Sequence, residues 1–287
     1  MKVAAIQMVS ACTLQANLDA AYALLQRCAA DGAELAVLPE YICLLGRRDT
    51  DKLALQELPG AGPIQDFLAR TARELGLWIV AGTLPLSPDR ASATATATAT
   101  ASPADAPDRI FNSSLVFDPS GACIARYDKI HLFRFDNGHE RYDETRVLHA
   151  GEQSVCFSLP SRDGQLWRLG LSVCYDLRFP ELYRAYASAG VDLLLVPSAF
   201  TYTTGQAHWE ILLRARAIEN LSYVVAAAQG GRHENGRRSW GHSMAVDPWG
   251  RILGQVAEGP AALCVELDHA ELSAVRSRLP ALEHRVL

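Results

Sequence analysis

Three side chains of different chemical types fall near the ends of strand-like segments, and together they could support nucleophilic catalysis. Cys174 lies in GLSVCYDLRFPEL, Glu40 lies near the end of AELAVLPEY, and Lys129 lies in ARYDKIHLF. A cysteine can attack as a thiolate, and a desolvated carboxylate can take its proton. A lysine that points inward would add a cation to the same site.

Cys174 has two interpretations. A helix is predicted to start near Pro180, which would place the thiol beside a helix N-terminus, where partial positive charge favours thiolate and backbone N–H groups can hold an oxyanion. Most cysteines are instead small buried core residues. The polar Asp176 and Arg178 favour the nucleophile, because a continuing core strand would not carry them. The local residues alone leave the two interpretations equal.

Glu40 and Lys129 also have ordinary alternatives. Glu40 follows a strand predicted to be buried on both faces, so its carboxyl is a candidate for a raised pKa and for a general base. The alternative is a solvent-facing residue in a first helical turn. Strand alternation places Lys129 and His131 opposite Ile130 and Leu132. Lys129 is therefore either a surface lysine or an inward-pointing cation.

The elements that must position these residues recur in the two halves of the chain. VAAIQM, AELAVLPE, LWIVAGT and NSSLVFDPSGACIARY resemble LGLSVCYD, VDLLLVPS, SYVVAAA and HSMAVDPWGRILGQV, in the same order. Each last segment contains a D-P-x-G turn. LQANLDAAYALLQRCAADGAE has helical periodicity and a cap at Gly32, and HWEILLRARAIENLSY has the same periodicity. This duplication predicts two similar sheets packed face to face with helices outside, a four-layer α-β-β-α sandwich.

Composition is typical of one large globular domain. The chain has 287 residues, of which 49% are hydrophobic and 21% charged. We therefore predict a single domain over 1–287. A mobile low-complexity loop is predicted at 91–108, because the run ASATATATATAS is followed by PADAPD. A C-terminal tail at about 268–287 is predicted to form a short helix and then an extended segment that packs on a neighbour or on the chain's own sheet edge.

Charge and the N-terminal segment disfavour nucleic-acid and membrane partners. The net charge of −5 is unsuited to a phosphate backbone. The locally basic Arg232, Arg237 and Arg238 are interpreted as a solvated loop. The first apolar run is broken by Gln7 and is too short for a signal segment or a membrane span. These features predict a cytoplasmic protein.

Metal and cofactor chemistry is not expected. The seven cysteines are scattered without a C-x-x-C pair. His131, His139 and His149 lack a fixed ligand spacing with nearby acids and cysteines. Walker loops, dinucleotide fingerprints and G-x-S-x-G elbows are absent from the sequence. The prediction is an enzyme with no metal and no cofactor.

Three motifs together resemble the nitrilase superfamily of carbon–nitrogen hydrolases. AVLPEY, YDKIHLF and GLSVCYDLRFPELYR occur in that family's order, and the resemblance covers nearly the whole chain. It implies the same sandwich fold and a catalytic triad of Glu40, Lys129 and Cys174. It also implies a second glutamate, which matches Glu144, with Glu140 as a nearby competitor. Members usually self-associate, so at least a homodimer is expected.

The residues after the nucleophile motif suggest a branch of that family. Residues 197–250 resemble the amidases that hydrolyse deaminated glutathione, which are close relatives of the omega-amidases. The resemblance implies hydrolysis of a small carboxylate-bearing amide through a cysteine thioester, with an oxyanion held by Lys129 and the Tyr175 N–H. The segment 131–144 departs from the commoner form in length and charge, which leaves the substrate open.

Arg178 is the candidate for binding a substrate carboxylate, because a guanidinium pairs with a carboxylate through two parallel hydrogen bonds. A structural pairing with Asp176 or Glu181 is the equal alternative. Phe200 and Thr204 are candidate pocket walls. The competing functions are an omega-amidase for 2-oxoglutaramate or 2-oxosuccinamate, an N-carbamoyl amino acid hydrolase, a nitrilase, and a catalytically silent scaffold.

Overall fold

The structure is a computed structural model that describes residues 1–88 and 109–286. The low-complexity run predicted at 91–108 lies outside the described residues. Among the helices of the two described ranges, none is both long enough and apolar enough to cross a membrane.

The described strands form two large sheets and two separate hairpins. The strands of the first sheet are β1 Lys2–Gln7, β2 Leu35–Val37, β3 Trp78–Val80, β4 Leu84–Leu86, β5 Ile110–Phe117, β6 Cys123–Asp128, β9 Leu148–His149 and β18 Ala261–Glu266. The strands of the second sheet are β10 Cys156–Pro160, β11 Leu166–Leu171, β12 Leu193–Leu195, β13 Tyr223–Ala226, β16 Ser243–Val246 and β17 Ile252–Val256. The hairpins are β7 Arg134–Asp136 with β8 Arg141–Asp143, and β14 Gly230–Arg232 with β15 Arg238–Trp240.

Four of the five described α-helices lie in connections between these strands, and the fifth follows the last strand. The α-helices are α1 Leu14–Ala30, α2 Pro63–Leu75, α3 Pro180–Ser188, α4 Tyr202–Asn220 and α5 His269–Arg278. Short 3₁₀ segments occupy Asp49–Leu55, Glu144–Arg146 and Cys174–Arg178. The first predicted helix therefore forms as α1, and Gly32 follows it with φ of +81°. Only glycine adopts that left-handed conformation without steric cost.

The predicted duplication is visible in the strand order. In the first sheet β1, β2 and β3 are parallel, and β5 and β6 continue antiparallel. In the second sheet β11, β12 and β13 are parallel, and β16 and β17 continue antiparallel. Each parallel set also has an antiparallel strand on its outer edge, β18 beside β1 and β10 beside β11. The two halves therefore share one topology.

The D-P-x-G turns repeat at the level of single hydrogen bonds. Asp118 Oδ1 accepts from the N–H groups two and four residues later, and Asp247 Oδ1 does the same in the second half. Gly121 and Gly250 have φ of +83° and +85°. The strand register shifts just before each turn. The two turns thus connect equivalent strand pairs through the same hydrogen bonds.

Side-chain alternation shows the four layers. In β1, Val3 and Ala5 belong to the core between the sheets, while Ala4 and Ile6 pack with the apolar faces of α1 and α2. In the second sheet, β12 and β13 are buried at every position, as expected for parallel strands covered on both faces. Helices α3 and α4 cover its outer side through residues such as Trp209. The predicted α-β-β-α sandwich is confirmed.

The C-terminal helix packs on its own chain. Leu272 and Val275 of α5 are buried. Arg276 binds Asp192 at 2.9 Å and the carbonyl oxygen of Val191 at 2.7 Å, both just before β12. Residues 281–284 form a turn where the sequence predicted an extended segment.

Candidate active site

Cys174 begins the 3₁₀ turn that follows β11. Its φ is +50°, which is rare for a residue with a side chain and is typical of strained functional positions. Its N–H donates to the carbonyl oxygen of Pro197 at 2.9 Å, which ties the turn to the segment after β12. The side chain is buried, with 8% of the residue exposed. The strained turn places Cys174 in the lining of a cavity formed by loops beyond the strand ends and by the two hairpins.

The thiol is not beside the helix N-terminus that the sequence suggested, because the 3₁₀ turn separates Cys174 from α3. Burial raises the pKa of the Cys174 thiol well above its ordinary value, and the negative charge of Glu40 raises it further. Lys129 opposes this shift without reversing it. Cys174 is therefore a protonated thiol that needs a base.

Asp176 holds the turn in place. Its buried carboxylate accepts hydrogen bonds from the Val173 N–H at 2.8 Å and the Tyr127 hydroxyl at 2.6 Å. Its Oδ1 also accepts from the backbone N–H of His131 at 3.0 Å and lies 2.7 Å from His131 Nδ1. Tyr127 and His131 flank Lys129 in sequence, so Asp176 fixes the nucleophile turn relative to the segment that carries the lysine.

Glu40 lies just after β2, where the backbone is closely packed against other segments. Its carbonyl oxygen accepts from Gln229 Nε2 at 2.9 Å, and Tyr41 next to it has φ of +59°. Gly82 makes this path possible, because a Cβ atom there would lie 1.9 Å from the carbonyl oxygen of Pro39. The tight fit places the Glu40 side chain inside the protein rather than in solvent.

The Glu40 carboxylate is fully buried. Oε1 accepts from Lys129 Nζ and from Asn112 Nδ2, both at 2.9 Å, while Oε2 has no hydrogen-bond partner among the described residues. Burial raises the pKa of Glu40 above its ordinary value, and Lys129 only partly offsets the effect. Glu40 and Cys174 line the same cavity. A buried carboxylate with an unpartnered oxygen next to a protonated thiol is well suited to accept its proton.

Lys129 connects the two glutamates. Its buried ammonium lies 2.9 Å from Glu40 Oε1 and 2.9 and 2.8 Å from the two oxygens of Glu144. Burial alone would lower the pKa of Lys129, but the charges of Glu144, Glu40 and Cys174 outweigh it and raise the pKa well above its ordinary value. Lys129 therefore stays a cation beside the thiol.

Of the two glutamates considered for the second position, Glu144 contacts Lys129 and Glu140 contacts Thr203. Glu144 accepts from the Tyr41 hydroxyl at 2.7 Å and from the Phe133 N–H at 2.7 Å, in addition to Lys129. Burial would raise the pKa of Glu144, but Lys129 and nearby donors lower it. Glu140 lies at the tip of the β7–β8 hairpin, where it contacts Thr203 at 3.3 Å. The β7–β8 hairpin thus makes up most of the segment 131–144 that departs from the commoner family form.

Cys174 lies where two cavities meet. The larger one, of about 670 Å³ including its open mouth, is lined by Glu40, Tyr41, Leu45, Asp49, Lys52, Phe133, Tyr142, Asp143, Glu144, Val147, Cys174, Ala199, Thr201, Arg237, Arg238 and Ser239. The smaller one, of about 210 Å³, is lined by Phe133, Cys174, Tyr175, Arg178, Ala199, Phe200, Thr201 and Thr204. A substrate bound at the thiol can therefore extend in two directions.

The candidate binding residues share the smaller cavity. The Arg178 guanidinium lies over the rings of Tyr175 and Phe200, 5.7 and 5.4 Å from their centres, and its Nη1 is 3.2 Å from His208 Nδ1. Arg178 forms no ion pair with a described carboxylate, so neither Asp176 nor Glu181 holds it. Thr204 is buried in the same wall.

Sequence reasoning missed several residues of the site. Asn112 and Tyr41, which contact Glu40 and Glu144, gave no local signal, since Asn112 lies within β5 and Tyr41 simply follows Glu40. Lys52 also gave no local signal in the sequence. Arg237 and Arg238 were interpreted as a solvated loop, but both line the larger cavity. Their clustering in the sequence was the available signal; Arg232 of that cluster is exposed, while Arg237 and Arg238 are partly buried at the cavity wall.

The described part of the chain contains no group of three or more His, Cys, Asp or Glu residues placed to hold a metal ion. His131 is instead paired with Asp176 and stacked on Phe179, with the ring centres 3.6 Å apart.

Comparison with known proteins identifies the class that this fold and site define. The carbon–nitrogen hydrolase family model matches residues 2–277. A protein of Yersinia enterocolitica named deaminated glutathione amidase is 41% identical over 88% of this chain and 82% of its own length. One of the same name from Synechocystis sp. strain PCC 6803 is 38% identical over 99% of this chain and 97% of its own.

A solved structure shows the same fold. Saccharomyces cerevisiae Nit3, described as a member of branch 10 of the nitrilase superfamily, superposes with a TM-score of 0.83 at 27% identity, covering 100% of this chain and 97% of Nit3. The chain belongs to the carbon–nitrogen hydrolase family, as the sequence motifs indicated. It is an amidase.

Proposed function

We propose that this amidase hydrolyses deaminated glutathione, with Cys174 as nucleophile, Glu40 as general base and Lys129 as oxyanion-stabilising cation. The observation that carries the proposal is the buried contact of Lys129 with Glu40 and Glu144, at 2.8 to 2.9 Å, beside the buried Cys174 side chain. The names of the related proteins support the choice of substrate.

The substrate has a carboxylate suited to Arg178. In deaminated glutathione a keto group replaces the α-amino group of the tripeptide, so the acyl part of the scissile amide ends in a 2-oxo acid. Arg178 offers a guanidinium without a described carboxylate partner in a cavity walled by Phe200 and Thr204. A bidentate contact there would orient the amide carbonyl towards Cys174.

In the first half-reaction, Cys174 Sγ attacks the amide carbon while its proton passes to Glu40. The new oxyanion is held by the Lys129 ammonium and the Tyr175 N–H, and Glu144 keeps the ammonium in position. The carbon–nitrogen bond then breaks as Glu40 returns the proton to the leaving nitrogen. The products of this half are a free amine and a thioester on Cys174.

In the second half-reaction, water replaces the amine. Glu40 takes a proton from water, the hydroxyl oxygen bonds to the thioester carbon, and the carbon–sulfur bond breaks. The sulfur recovers its proton from Glu40, which restores the starting state. Burial raises the pKa of Glu40, which makes its carboxylate a better proton acceptor for this exchange.

The test compares two substrates with the pure protein. We expect kcat/KM for deaminated glutathione to exceed that for 2-oxoglutaramate by tenfold or more, which is about 1.4 kcal/mol of transition-state discrimination. A preference for 2-oxoglutaramate would make the protein an omega-amidase. Inactivity on both would indicate a different substrate, either another amide, as in N-carbamoyl amino acid hydrolases, or a nitrile. It would also be the result expected of a catalytically silent scaffold.

The cellular context stays a prediction from the sequence. We propose a cytoplasmic enzyme that forms at least a homodimer, needs no metal or cofactor, and does not bind nucleic acid. The net charge of −5 supports the last point. Light scattering at micromolar concentration, together with activity after chelation, tests the oligomeric state and the absence of a metal.

A further inference from the structure

The larger cavity contains one cation that makes no direct ion pair with any described residue. Lys52 lies in the 3₁₀ segment Asp49–Leu55 and is half-buried at the cavity wall. Its ammonium is 4.4 Å from the centre of the Tyr41 ring, but it forms no hydrogen bond or ion pair with any described residue.

The other charges that line this cavity already have partners. Arg237 binds Asp49 at 2.8 Å, and Arg238 binds Glu258 at 2.5 Å. Asp143 lies 3.6 Å from Arg134, and both oxygens of Glu144 contact Lys129. Glu40 also contacts Lys129. Arg238 Nε has no hydrogen-bond partner, but the Arg238 guanidinium is already paired with Glu258, so Lys52 is the lining cation without an ion pair among the described residues.

Burial lowers the pKa of Lys52, and the nearby charges of Glu144, Asp49 and Glu40 do not fully restore it. A half-buried ammonium that lacks a direct carboxylate contact gains stability when an anionic ligand supplies one.

The direction of the leaving group follows from the proton path. The departing nitrogen receives its proton from Glu40, so it must lie on the side of Cys174 that Glu40 lines. Glu40 lines the larger cavity and is not among the residues of the smaller one. The acyl part, with its carboxylate at Arg178, then occupies the smaller cavity. The leaving amine extends towards Lys52.

We propose that Lys52 binds a carboxylate on the leaving amine, so that the enzyme selects N-acyl peptides with a negative charge on both sides of the scissile amide. This inference rests on the proposed function and deepens it. It excludes primary amides as preferred substrates, because ammonia has no carboxylate to offer. In deaminated glutathione the group in question is the C-terminal carboxylate of the cysteinylglycine that leaves.

The experiment compares deaminated glutathione with the same compound carrying a C-terminal carboxamide. Release of the acyl product is measured for the wild-type enzyme, Lys52→Met, Lys52→Arg and, as a lysine-to-methionine control on a distant surface, Lys2→Met. We expect the wild type to favour the free acid by about 10- to 100-fold in kcat/KM, mainly through KM, as for a charge-assisted contact. Lys2→Met keeps that ratio, and Lys52→Arg keeps most of it.

Lys52→Met is expected to reduce the acid-to-amide ratio to within about threefold of one, and thermal unfolding verifies that the variant is folded. An unchanged ratio in Lys52→Met overturns the inference and leaves the proposed function intact. Equal loss on both compounds also overturns it, because Lys52 would then act on Glu144 rather than on the substrate. A wild type inactive on both compounds contradicts the proposed function itself.

Discussion

Replacing Glu144 by glutamine tests whether the second glutamate holds the oxyanion cation. The substitution keeps the side-chain shape and removes the charge. In the native site both oxygens of Glu144 accept from Lys129, at 2.9 and 2.8 Å, and the same oxygens accept from Tyr41 and Phe133. A glutamine amide N–H₂ would face at least one of these donors.

The magnitude follows from the burial of Lys129. Removing one partner of a buried ion pair costs about 3–5 kcal/mol. Glu40 remains as a second carboxylate for Lys129, so the lower end of that range applies. If the loss falls on the transition state, about 3 kcal/mol corresponds to roughly a 10²-fold lower kcat. The KM changes less, because the ammonium is needed mainly once the oxyanion has formed.

The assay is steady-state turnover of deaminated glutathione, with urea unfolding to check that the variants are folded. Glu140→Gln is the matched control, since Glu140 lies at the hairpin tip and should stay within about twofold of wild type. The reasoning is refuted if Glu144→Gln retains kcat within about threefold. It is equally refuted if Glu140→Gln is the variant that loses turnover.

Three further perturbations test the base, the turn and the backbone path. Glu40 must be ionised to act as a base and its pKa is raised, so kcat/KM should fall with decreasing pH at a midpoint above the ordinary 4.5, and an acidic limb at or below that value contradicts this. Asp176→Asn leaves two buried donors facing an amide N–H₂ and should cost about 2–5 kcal/mol in urea unfolding, whereas a loss under 1 kcal/mol would show that the turn does not depend on it. Gly82→Ala and Gly76→Ala both place alanine at φ near +60°, but only Gly82→Ala drives its Cβ into Pro39. Gly76→Ala should cost about 1 kcal/mol and Gly82→Ala several times more, and equal losses would show that the close approach is unimportant.

The fold was predictable because the sequence repeats its own pattern. Four segment pairs and two D-P-x-G turns imply two equivalent sheets, and the strand order has that symmetry. Strands buried on both faces lack alternation, so β12 was recognisable as an inner strand from its apolar run alone. The position of Glu40 and Cys174 beyond strand ends followed from the same pattern.

The supporting contacts were not predictable, because they join residues far apart in the chain. Asn112 reaches Glu40 across 72 positions, and Asp176 reaches Tyr127 across 49. Nothing in the local sequence specifies such partners. The pKa of Cys174 was also predicted wrongly. The strand, turn and helix pattern suggested that a helix N-terminus would lower this pKa, but burial raises it. Arg237 and Arg238 were likewise assigned to solvent from local charge.

The central claim is that amide hydrolysis passes through Cys174. The most direct measurement is the release of 2-oxoglutarate from deaminated glutathione by wild type, Cys174→Ala and Cys123→Ala, the last removing an exposed thiol as a control. The account predicts wild-type turnover in Cys123→Ala and no turnover above the protein-free blank in Cys174→Ala. Appreciable turnover by folded Cys174→Ala would contradict it.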